Sequence, residues 1–407
     1  MTPSEAVTHL RSPAAIRERC AMVFAAAARG ETEHFALALE RLDECAGIVV
    51  DTIRAGYPTL AIPYHSRWRH FAAGGVDRWK PIAARFVGRP AIERVRAAID
   101  LAVVSVLLDA GAGPRWRYRE AGGVATGRSE GLAIASLDMF AAGLFSADAD
   151  DPFRVDAAAL AALDPAALAR GFQASDANPM VGLDGRAALL RRLGAALAAR
   201  RDLFGAEPRP GGLADSLADH AREGRLPAAA ILAALLDGLG PIWPARVVLD
   251  GVNLGDVGRH RAASASDASD GLVPFHKLSQ WLAYSLFEPL EWLGLTIVEP
   301  DALTGLPEYR NGGLFLDSGV LVPKHAGVTR EPHDAASELV VEWRALTVCL
   351  LDRVAGRVRE LLSLDPAAFP LAKVLEGGTW AAGRRLAQAR RPDATPPISV
   401  VSDGTIF

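Results

Sequence analysis

The sequence predicts a mostly α-helical protein built around one large helical domain. Alanine and leucine dominate the chain, runs of β-branched residues are few, and apolar residues recur at helical spacing in the long segments. Helix-start and helix-stop signals, such as Ser12-Pro13 and Gly240-Pro241, bound several of these segments. We therefore expect residues 1–407 to form a single helical domain or two intimate lobes, with a seam near the Pro/Gly break at 205–215.

Composition narrows the class of protein further. The 407 residues are 50% hydrophobic and 23% charged, with a net charge of −4 and no basic block, so nucleic-acid binding is not favoured. The polar N-terminus has no apolar signal region, and no apolar run is long enough to span a membrane. The 3 cysteines are far apart and show no metal-ligand spacing. We expect a cytoplasmic protein without a cofactor or metal, and its oligomeric state stays open.

Taken in order, the chain alternates predicted helices with glycine- and proline-rich breaks. The region Val247–Asp270 is irregular and of a length that is usually functional or mobile. Gly122–Gly127 is a glycine-rich loop without the phosphate-binding P-loop pattern. The largely apolar tail at 396–407 is expected to dock on the body of the protein. Helices are expected over 13–29, 31–53, 90–109, 129–143, 148–171, 184–204, 226–239, 274–292 and 338–362.

Two clusters in the first third of the chain concentrate charge and aromatic rings. Ile62–Phe71 reads IPYHSRWRHF, and its His65, Arg67 and Arg69 suit either an anion- or sugar-binding loop or a connector with arginines stacked on rings. Asp109 follows a helix, where a negative charge opposes the helix dipole. It therefore needs a role in a site or a cationic partner, for which the arginines at 115–119 are close in sequence.

The stretch 271–317 combines charged and aromatic side chains on one expected helix face, which predicts a pocket wall. In the helix expected from Pro274, one stripe carries Lys277, Trp281, Tyr284 and Glu288, which combines two charges with two aromatic rings. A dense polar and aromatic cluster, PEYRNGG, follows at 307–313. The plainer interpretation is a helix with solvated charged ends followed by a capped loop. Pro289 also favours a kink next to Glu288, which leaves that residue doubtful.

Several phrases of the sequence resemble a known family over nearly the whole chain. They are VVSVLLDAGAG, RSEGLAIASLDMF, VPFHKLSQWLAYSLFEPLEWLG, LTGLPEYRNGGLFLDSGVL, EGGTWAAGR and SDGTIF. They are similar to the uracil-catabolism protein family of fungi and bacteria, formerly of unknown function. That family occurs together with a GTP-cyclohydrolase-II-like enzyme and a uracil phosphoribosyltransferase. The resemblance implies a role in the breakdown of uracil.

A more distant resemblance covers some fifty residues and bears on mechanism. PFHKLSQ followed by LPEYRNGGLFLDSGVL is similar to the queuosine-salvage glycosidases, helical proteins that resemble DNA glycosylases and cleave an N-glycosidic bond of a nucleoside 5′-monophosphate. Lys277, Tyr309 and Arg310 match that motif, and Glu308 falls where the family has its active-site aspartate. His276 stands in the place of a usual tyrosine, and the glutamate reaches about one methylene further than an aspartate.

The resemblance implies N-glycoside hydrolysis, whose transition state carries positive charge on the sugar. A carboxylate, here Glu308, stabilises that charge or deprotonates the attacking water. Lys277 protonates the leaving nitrogen or keeps the carboxylate ionised, and His276 is the alternative acid. Consecutive helix residues point about 100° apart, so only one of those two is expected to face the site. Expected substrate-binding residues are His276, Trp281, Tyr284, Tyr309, Asp109 and His65, with Arg310, Arg67 and Arg69 for a sugar phosphate.

The expected function is therefore a catalytic domain that releases urea from ribosylurea or its 5′-phosphate, with this ribosyl compound as its small-molecule partner. Two alternatives stay open. The His333-Asp334 dipeptide, with His65 and His70 upstream, is compatible with a helical metal-dependent phosphohydrolase, although Pro332 favours a helix start with Asp334 as its cap. A non-catalytic binder of a pathway intermediate is compatible with the same stripe of aromatic and charged residues.

Overall fold

A computed structural model describes residues 1–401, and α-helices dominate it, which confirms the predicted mostly α fold class. The helices are α1 Pro3–Leu10, α2 Pro13–Ala28, α3 Leu42–Gly56, α4 Arg67–Phe71, α5 Lys80–Ala83, α6 Ala91–Leu107, α7 Arg128–Ala141, α8 Ala157–Ala161, α9 Pro165–Gly171, α10 Leu183–Ala199, α11 Arg201–Phe204, α12 Leu213–His220, α13 Ala228–Leu239, α14 Lys277–Trp292, α15 Tyr309–Asp317, α16 Gly327–Arg330, α17 Glu338–Leu362, α18 Leu371–Val374 and α19 Trp380–Arg390. The likeness to the queuosine-salvage fold stays a prediction.

The strands are two or three residues long, and they pair two by two. They are β1 Phe35–Leu37, β2 Tyr118–Arg119, β3 Ala125–Thr126, β4 Arg225–Pro227, β5 Val248–Leu249, β6 Val252–Asn253, β7 Val257–Arg259, β8 Leu272–Pro274, β9 Thr296–Val298, β10 Leu321–Pro323, β11 Pro332–Asp334 and β12 Ser399–Val401. The pairs β4–β9 and β11–β12 are parallel, and the other pairs, β1–β10, β2–β3, β5–β6 and β7–β8, are antiparallel. A π-helix, Leu375–Thr379, lies between α18 and α19.

The chain divides into two compact units, each built from separate stretches of sequence. Of the described residues, the first unit holds Met1–His65, Ala245–Gln280 and 299–401; the second holds Ser66–Pro244 and Trp281–Val298. The first turn of α14 therefore belongs to the first unit, and the rest of the helix belongs to the second. Residues 205–215, where we expected a seam, lie inside the second unit. A single catalytic domain stays a prediction.

In the first unit, the long helix α17 packs along α2 and α3, and α15 packs between α17 and α19. Two glycines permit this close packing. A Cβ at Gly312 of α15 would lie 2.7 Å from the ring of Trp343 in α17, and a Cβ at Gly383 of α19 would overlap the carbonyl oxygen of Arg310. Gly312 of the PEYRNGG cluster and Gly383 therefore let α15, which begins directly after Glu308, pack closely against α17 and α19.

Two predicted helices of the first unit were wrong at their N-terminal ends. The helix expected over 31–53 begins only at Leu42, because Phe35–Leu37 forms β1 and pairs with β10 from far along the chain. The helix expected from Pro274 begins at Lys277, because Leu272–Pro274 pairs with β7 as a strand. His276 between strand and helix has φ 47°, a left-handed conformation that a helical residue does not adopt.

The tail is partly described. Ser399–Val401 pairs with β11, so this part of the tail is docked on the first unit; the remaining tail residues, 402–407, lie outside the described chain. We expected the region 247–270 to be irregular. It contains three short strands, β5, β6 and β7, each of which pairs with another strand. Between residues 1 and 401, the structure contains no helix with the length and apolar character needed to cross a membrane.

The second unit includes most of α14, which runs through Pro289 to Trp292 without ending. Proline lacks the N–H that would bond the carbonyl four residues earlier, and that carbonyl belongs to Ser285. The indole Nε1–H of Trp68 donates to the Ser285 oxygen at 2.8 Å instead. A side chain of α4 thus satisfies the backbone group that the proline leaves, and the helix continues.

Replacing Trp68 with phenylalanine should therefore destabilise the protein by more than the loss of packing alone. The Ser285 carbonyl would lose its donor, which costs about 1–3 kcal/mol for a buried polar group. Chemical denaturation measures the change in unfolding free energy. In a Pro289→Ala background, the alanine N–H can bond Ser285, so the same Trp68→Phe change should cost less. Equal costs in both backgrounds would contradict the assignment.

Candidate functional site

Glu308, the carboxylate at the centre of the predicted chemistry, is buried at the N-terminus of α15. Its Oε2 accepts the Arg310 amide at 2.7 Å, and its Oε1 accepts the Asn311 amide at 2.6 Å. The side chain is thus the N-cap of its own helix. A carboxylate held through both oxygens by backbone donors has one orientation, and the helix dipole favours its negative form.

Burial raises the pKa of Glu308 above its usual range, and this effect outweighs the two backbone hydrogen bonds and the positive charges of Lys277 and His65, which lower it. Glu308 is 7% exposed. A carboxylate in that state is a stronger proton acceptor than one in water. The Oδ1 atom of Asn311, also buried, accepts no hydrogen bond from the described residues, and such an atom is the kind of group that a bound ligand satisfies.

Lys277 is placed by a buried aspartate that the sequence did not single out. The Lys277 amide donates to Oδ2 of Asp256 at 2.9 Å, so Asp256, the residue before β7, caps the start of α14. The carbonyl of Asp256 also accepts the amides of Phe275 and His276. Asp256 thereby fixes where α14 begins. The positive charge of Lys277, the first residue of that helix, lowers the pKa of Glu308.

Arg344 of α17 links the supports of the two predicted catalytic residues. It grips Asp256 through two bonds of 2.7 Å, lies 4.0 Å above the ring of Phe275, and donates from Nε to the carbonyl of Pro307 at 3.4 Å. Burial raises the pKa of Asp256, but the charge and hydrogen bonds of Arg344 outweigh it and lower that pKa to about 2. One guanidinium thus contacts the cap of Lys277 and the residue that precedes Glu308.

His276 is held in a structural contact. Its Nε2–H donates to the carbonyl of Leu10 at 2.9 Å, and burial lowers the pKa of its imidazole, against the opposing effects of Leu10 and Asp256. The ring is therefore neutral near pH 7. The expected 100° divergence from Lys277 was wrong, because His276 is left-handed and outside the helix. These contacts do not favour His276 as the acid, and a role in substrate binding stays a prediction.

His65 also belongs to the first unit and pairs with a second carboxylate. Its Nδ1 lies 2.7 Å from Oε2 of Glu376, and its ring lies 6.2 Å from the ring of Trp380. Tyr309 and Arg310, which follow Glu308 in the sequence, are further predicted substrate-binding residues of this unit. Tyr309 is half-buried, and the Arg310 guanidinium lies 5.0 Å from its ring while Nη1 donates to the carbonyl of Ala394 at 2.9 Å.

In the second unit, Arg67 and Asp109 form a buried ion pair with 2.9 Å between Nη1 and Oδ1. Asp109 also accepts from the hydroxyl of Ser129 at 3.1 Å, and Arg67 donates from Nε to Ser105 at 2.7 Å. The cationic partner of Asp109 is thus Arg67, and not the arginines at 115–119 that we expected. Burial lowers the pKa of the Arg67 guanidinium, and Asp109 opposes that shift.

The remaining predicted residues of the second unit lie in packed surroundings. Arg69 donates to Glu288 at 2.5 Å, so the charged end of the predicted stripe is an ion pair. Trp281 lies 5.5 Å from the Arg67 guanidinium and 5.6 Å edge-on from the ring of His70. Tyr284 is fully buried and packs edge-on against Phe287. Their predicted roles in substrate binding stay predictions.

We expected His333-Asp334 to begin a helix, but the dipeptide lies in strand β11. The cap of α17 is Ser337. The Nε2 of His333 lies 3.2 Å and 3.1 Å from the carbonyls of Gly327 and Val328, so it carries a proton and is not placed as a metal ligand. Within residues 1–401, no three His, Cys, Asp or Glu side chains are grouped to hold a metal ion.

The first unit therefore brings together the predicted residues Lys277, Glu308 and His65, and the second unit holds Arg67, Arg69, Asp109, Trp281 and Tyr284. Sequence reasoning missed three residues of the first unit: Asp256, Arg344 and Glu376. Glu376 had a signal, because an acidic residue before Gly-Gly-Thr-Trp is unusual in a helical stretch. Asp256 and Arg344 had none, since their pairing joins positions far apart in the chain.

Comparison with known proteins places the whole chain in context. A family model described as "Protein of unknown function (DUF1688)" matches residues 9–407. A Lachancea kluyveri protein named "Uracil catabolism protein 4" is 40% identical over 442 residues, which cover 100% of both chains. A Schizosaccharomyces pombe protein named "Protein urg3" is 40% identical over 413 residues, covering 99% of this chain and 100% of the relative.

Proposed function

Since the chain belongs to the DUF1688 family, one of whose fungal relatives is named for uracil catabolism, we propose that it acts in uracil catabolism as an N-glycoside hydrolase. The substrate is ribosylurea or its 5′-phosphate, and the products are urea and the ribose moiety. The family supports a role in uracil catabolism, and the geometry around Glu308 supports this reaction.

The observation that carries the proposal is the state of Glu308. Its carboxylate is buried, fixed through both oxygens by the amides of Arg310 and Asn311, and flanked by the positive charges of Lys277 and His65. Such a group neither needs to reorient during the reaction nor shares its charge with bulk water. It can accept a proton from water or stabilise positive charge on a sugar, which are the two tasks that N-glycoside hydrolysis sets.

Lys277 supports the same chemistry by keeping Glu308 ionised. Because burial raises the pKa of Glu308, a nearby positive charge is needed to hold the carboxylate in its active form, and Lys277 lowers that pKa. The hydrogen bond that the Lys277 backbone N–H donates to the Asp256 carboxylate fixes where the Lys277 side chain starts. For a substrate with a 5′-phosphate, Arg310 is the candidate partner in this unit, because a guanidinium can grip phosphate through two bonds.

Purified protein should release urea from ribosylurea, from its 5′-phosphate, or from both. Urea is measured by coupled urease, with uridine and uridine 5′-phosphate as control substrates that carry the same sugar but hold the ureido unit closed in the uracil ring. Activity on only one of the two ribosylurea forms would also show whether the substrate must carry the 5′-phosphate. The absence of urea from both forms would contradict the proposal, and tight binding of either form without turnover would replace the hydrolase with a binding protein.

A further inference from the structure

His65 and Glu376 form a largely buried histidine–carboxylate pair, of which the proposed reaction has so far used only the charge of His65. Their side chains are 6% and 16% exposed, and Nδ1 of the imidazole lies 2.7 Å from Oε2 of Glu376. The His65 amide donates to the carbonyl of Ala372 at 2.9 Å, which fixes the backbone at the ring. A carboxylate on one ring nitrogen sets the tautomer, places the second proton on the other nitrogen, and stabilises the imidazolium.

The backbone that carries Glu376 is unusual and closely packed. Glu376 lies in the π-helix Leu375–Thr379, a conformation that is rare and frequent at functional sites. A Cβ at Gly377 would lie 2.8 Å from Ile62, and a Cβ at Gly378 would lie 2.6 Å from Val49. The two glycines let the π-helix approach these side chains, so the position of the Glu376 carboxylate is set by packing on both sides.

The pair lies beside the helix that the predicted base caps, because the π-helix Leu375–Thr379 packs against α15. The positive charges of Lys277 and His65 both lower the pKa of Glu308, which agrees with this placement. The charged groups that act near the imidazole include Glu376, which contacts it, and Glu308. Acid–base hydrolysis needs an acid at the leaving group and a base at the attacking water, and an imidazolium and a carboxylate can take these two roles.

We infer that His65 donates the proton to the leaving nitrogen of the substrate and that Glu376 is its positioning residue, an inference that rests on the proposed function. The bond between C1′ and the ureido nitrogen breaks, and both electrons go to nitrogen, which takes the Nε2 proton of the His65 imidazolium. A water oxygen bonds to C1′, and a proton of that water goes to Glu308. Neutral His65 and protonated Glu308 remain, and proton exchange with solvent restores both.

The chemistry of the leaving group makes such an acid necessary. The anion of urea is a much stronger base than the anion of a nucleobase, so urea departs only when its nitrogen is protonated as the bond breaks. His276 is unsuited to this task because its Nε2–H donates to Leu10 and burial lowers the pKa of its ring. A carboxylate contacts the ring of His65, whereas burial outweighs the effect of the Asp256 carboxylate on His276.

Two substrates with the same sugar and different leaving groups test the role of His65. His65→Gln should lose about 10²–10⁴-fold in kcat/KM on the ribosylurea form that the wild-type protein hydrolyses. The same variant should keep most of its activity on p-nitrophenyl ribofuranoside, or on its 5′-phosphate, because nitrophenolate leaves without a proton. His220→Gln, which changes an exposed histidine of the second unit, is the matched control and should behave as wild type on both.

The possible results separate this inference from the function on which it rests. An unchanged rate on ribosylurea, or equal losses on both substrates, would overturn the role of His65 while leaving the hydrolase in place. Absence of urea release by the wild-type protein would overturn the proposed function, and the inference with it. Circular dichroism of His65→Gln identifies a variant that has lost its fold.

Glu376→Gln provides the second measurement, on ribosylurea alone. The amide can still contact the imidazole but no longer stabilises its positive charge, so the protonated ring is lost at lower pH. The alkaline limb of the kcat/KM profile should move to lower pH, with kcat reduced and KM unchanged, because Glu376 does not contact the substrate. A variant that is merely destabilised would lose activity at every pH. A profile that superimposes on the wild-type one would overturn the role of Glu376.

Discussion

Glu308→Gln should reduce urea release by about 10²–10⁴-fold, the usual contribution of a general base. The amide has the length of the glutamate but cannot take a proton from water or balance positive charge on the sugar. Its oxygen can still accept one of the two amides, from Arg310 or Asn311, so one cap bond is lost. A reduction in stability of about 1 kcal/mol is expected from that bond. Initial rates by coupled urease and denaturation curves measure both effects.

Two controls separate the chemistry of Glu308 from its role as a cap. Glu308→Asp keeps the charge and a good cap but is one methylene shorter, so it should retain more activity than the glutamine variant. Ser337→Ala removes the cap of α17, whose Ser337 hydroxyl accepts the Val340 amide at 3.4 Å, without touching the site. It should lower stability by a similar amount and keep urea release. A glutamine variant with wild-type rates would remove Glu308 from the role of base.

The same residue sets an expected pH dependence. Because Glu308 must be ionised to act and burial raises its pKa, activity should fall on the acid side at a pH above the ordinary glutamate range near 4.3. Neutralising Lys277 with Lys277→Met removes a charge that lowers the pKa of Glu308. The acid limb should then move to still higher pH. An acid limb below the ordinary range would contradict the assignment of the base.

Arg344→Met should destabilise the protein by about 3 kcal/mol, because it leaves the Asp256 carboxylate without its bidentate partner. The figure is at the low end for a buried pair because the Asp256 side chain keeps 16% exposure, whereas Arg344 is 3% exposed. Urea denaturation measures it. The loss should also reduce activity, since Asp256 caps the helix that begins with Lys277 and Arg344 donates to the carbonyl before Glu308.

Arg357 of the same helix is the matched control. It pairs with Asp43 and Glu360, but all three side chains are exposed, so Arg357→Met should change stability far less than Arg344→Met. Adding Asp256→Asn to Arg344→Met should recover part of the loss, because no buried charge remains unpaired. A double variant that loses the sum of the two single effects would show that the pair is not coupled.

Acid titration gives the Asp256–Arg344 pair an independent readout. The folded-state pKa of Asp256 is lowered to about 2, so its stabilisation is complete above the ordinary aspartate range near 3.9 and is lost as the pH falls toward 2. In Arg344→Met this dependence should weaken. The comparison requires only unfolding free energies between pH 2 and pH 5.

Local signals in the sequence were enough for most of the long helices and for naming the central residues. The helix predicted over 338–362 is α17 residue for residue, because its cap and its apolar period are both local. Lys277 and Glu308 could be named because they stand in short motifs, PFHKLSQ and LPEYRNGG. The structure places them in one unit with His65, whereas the other predicted site residues Arg67, Arg69, Asp109, Trp281 and Tyr284 lie in the second unit. The catalytic roles of Lys277 and Glu308 stay predictions.

The sequence by itself determined the mostly α class, the approximate ends of most long helices and the motif that carries Lys277 and Glu308. The tertiary structure alone decided which distant residues pair. The partner of Asp109 is Arg67, and His65 meets Glu376 across 311 positions. The physical reason is range: caps and apolar periodicity act within a few residues, whereas an ion pair forms wherever packing brings opposite charges together, whatever their distance along the chain.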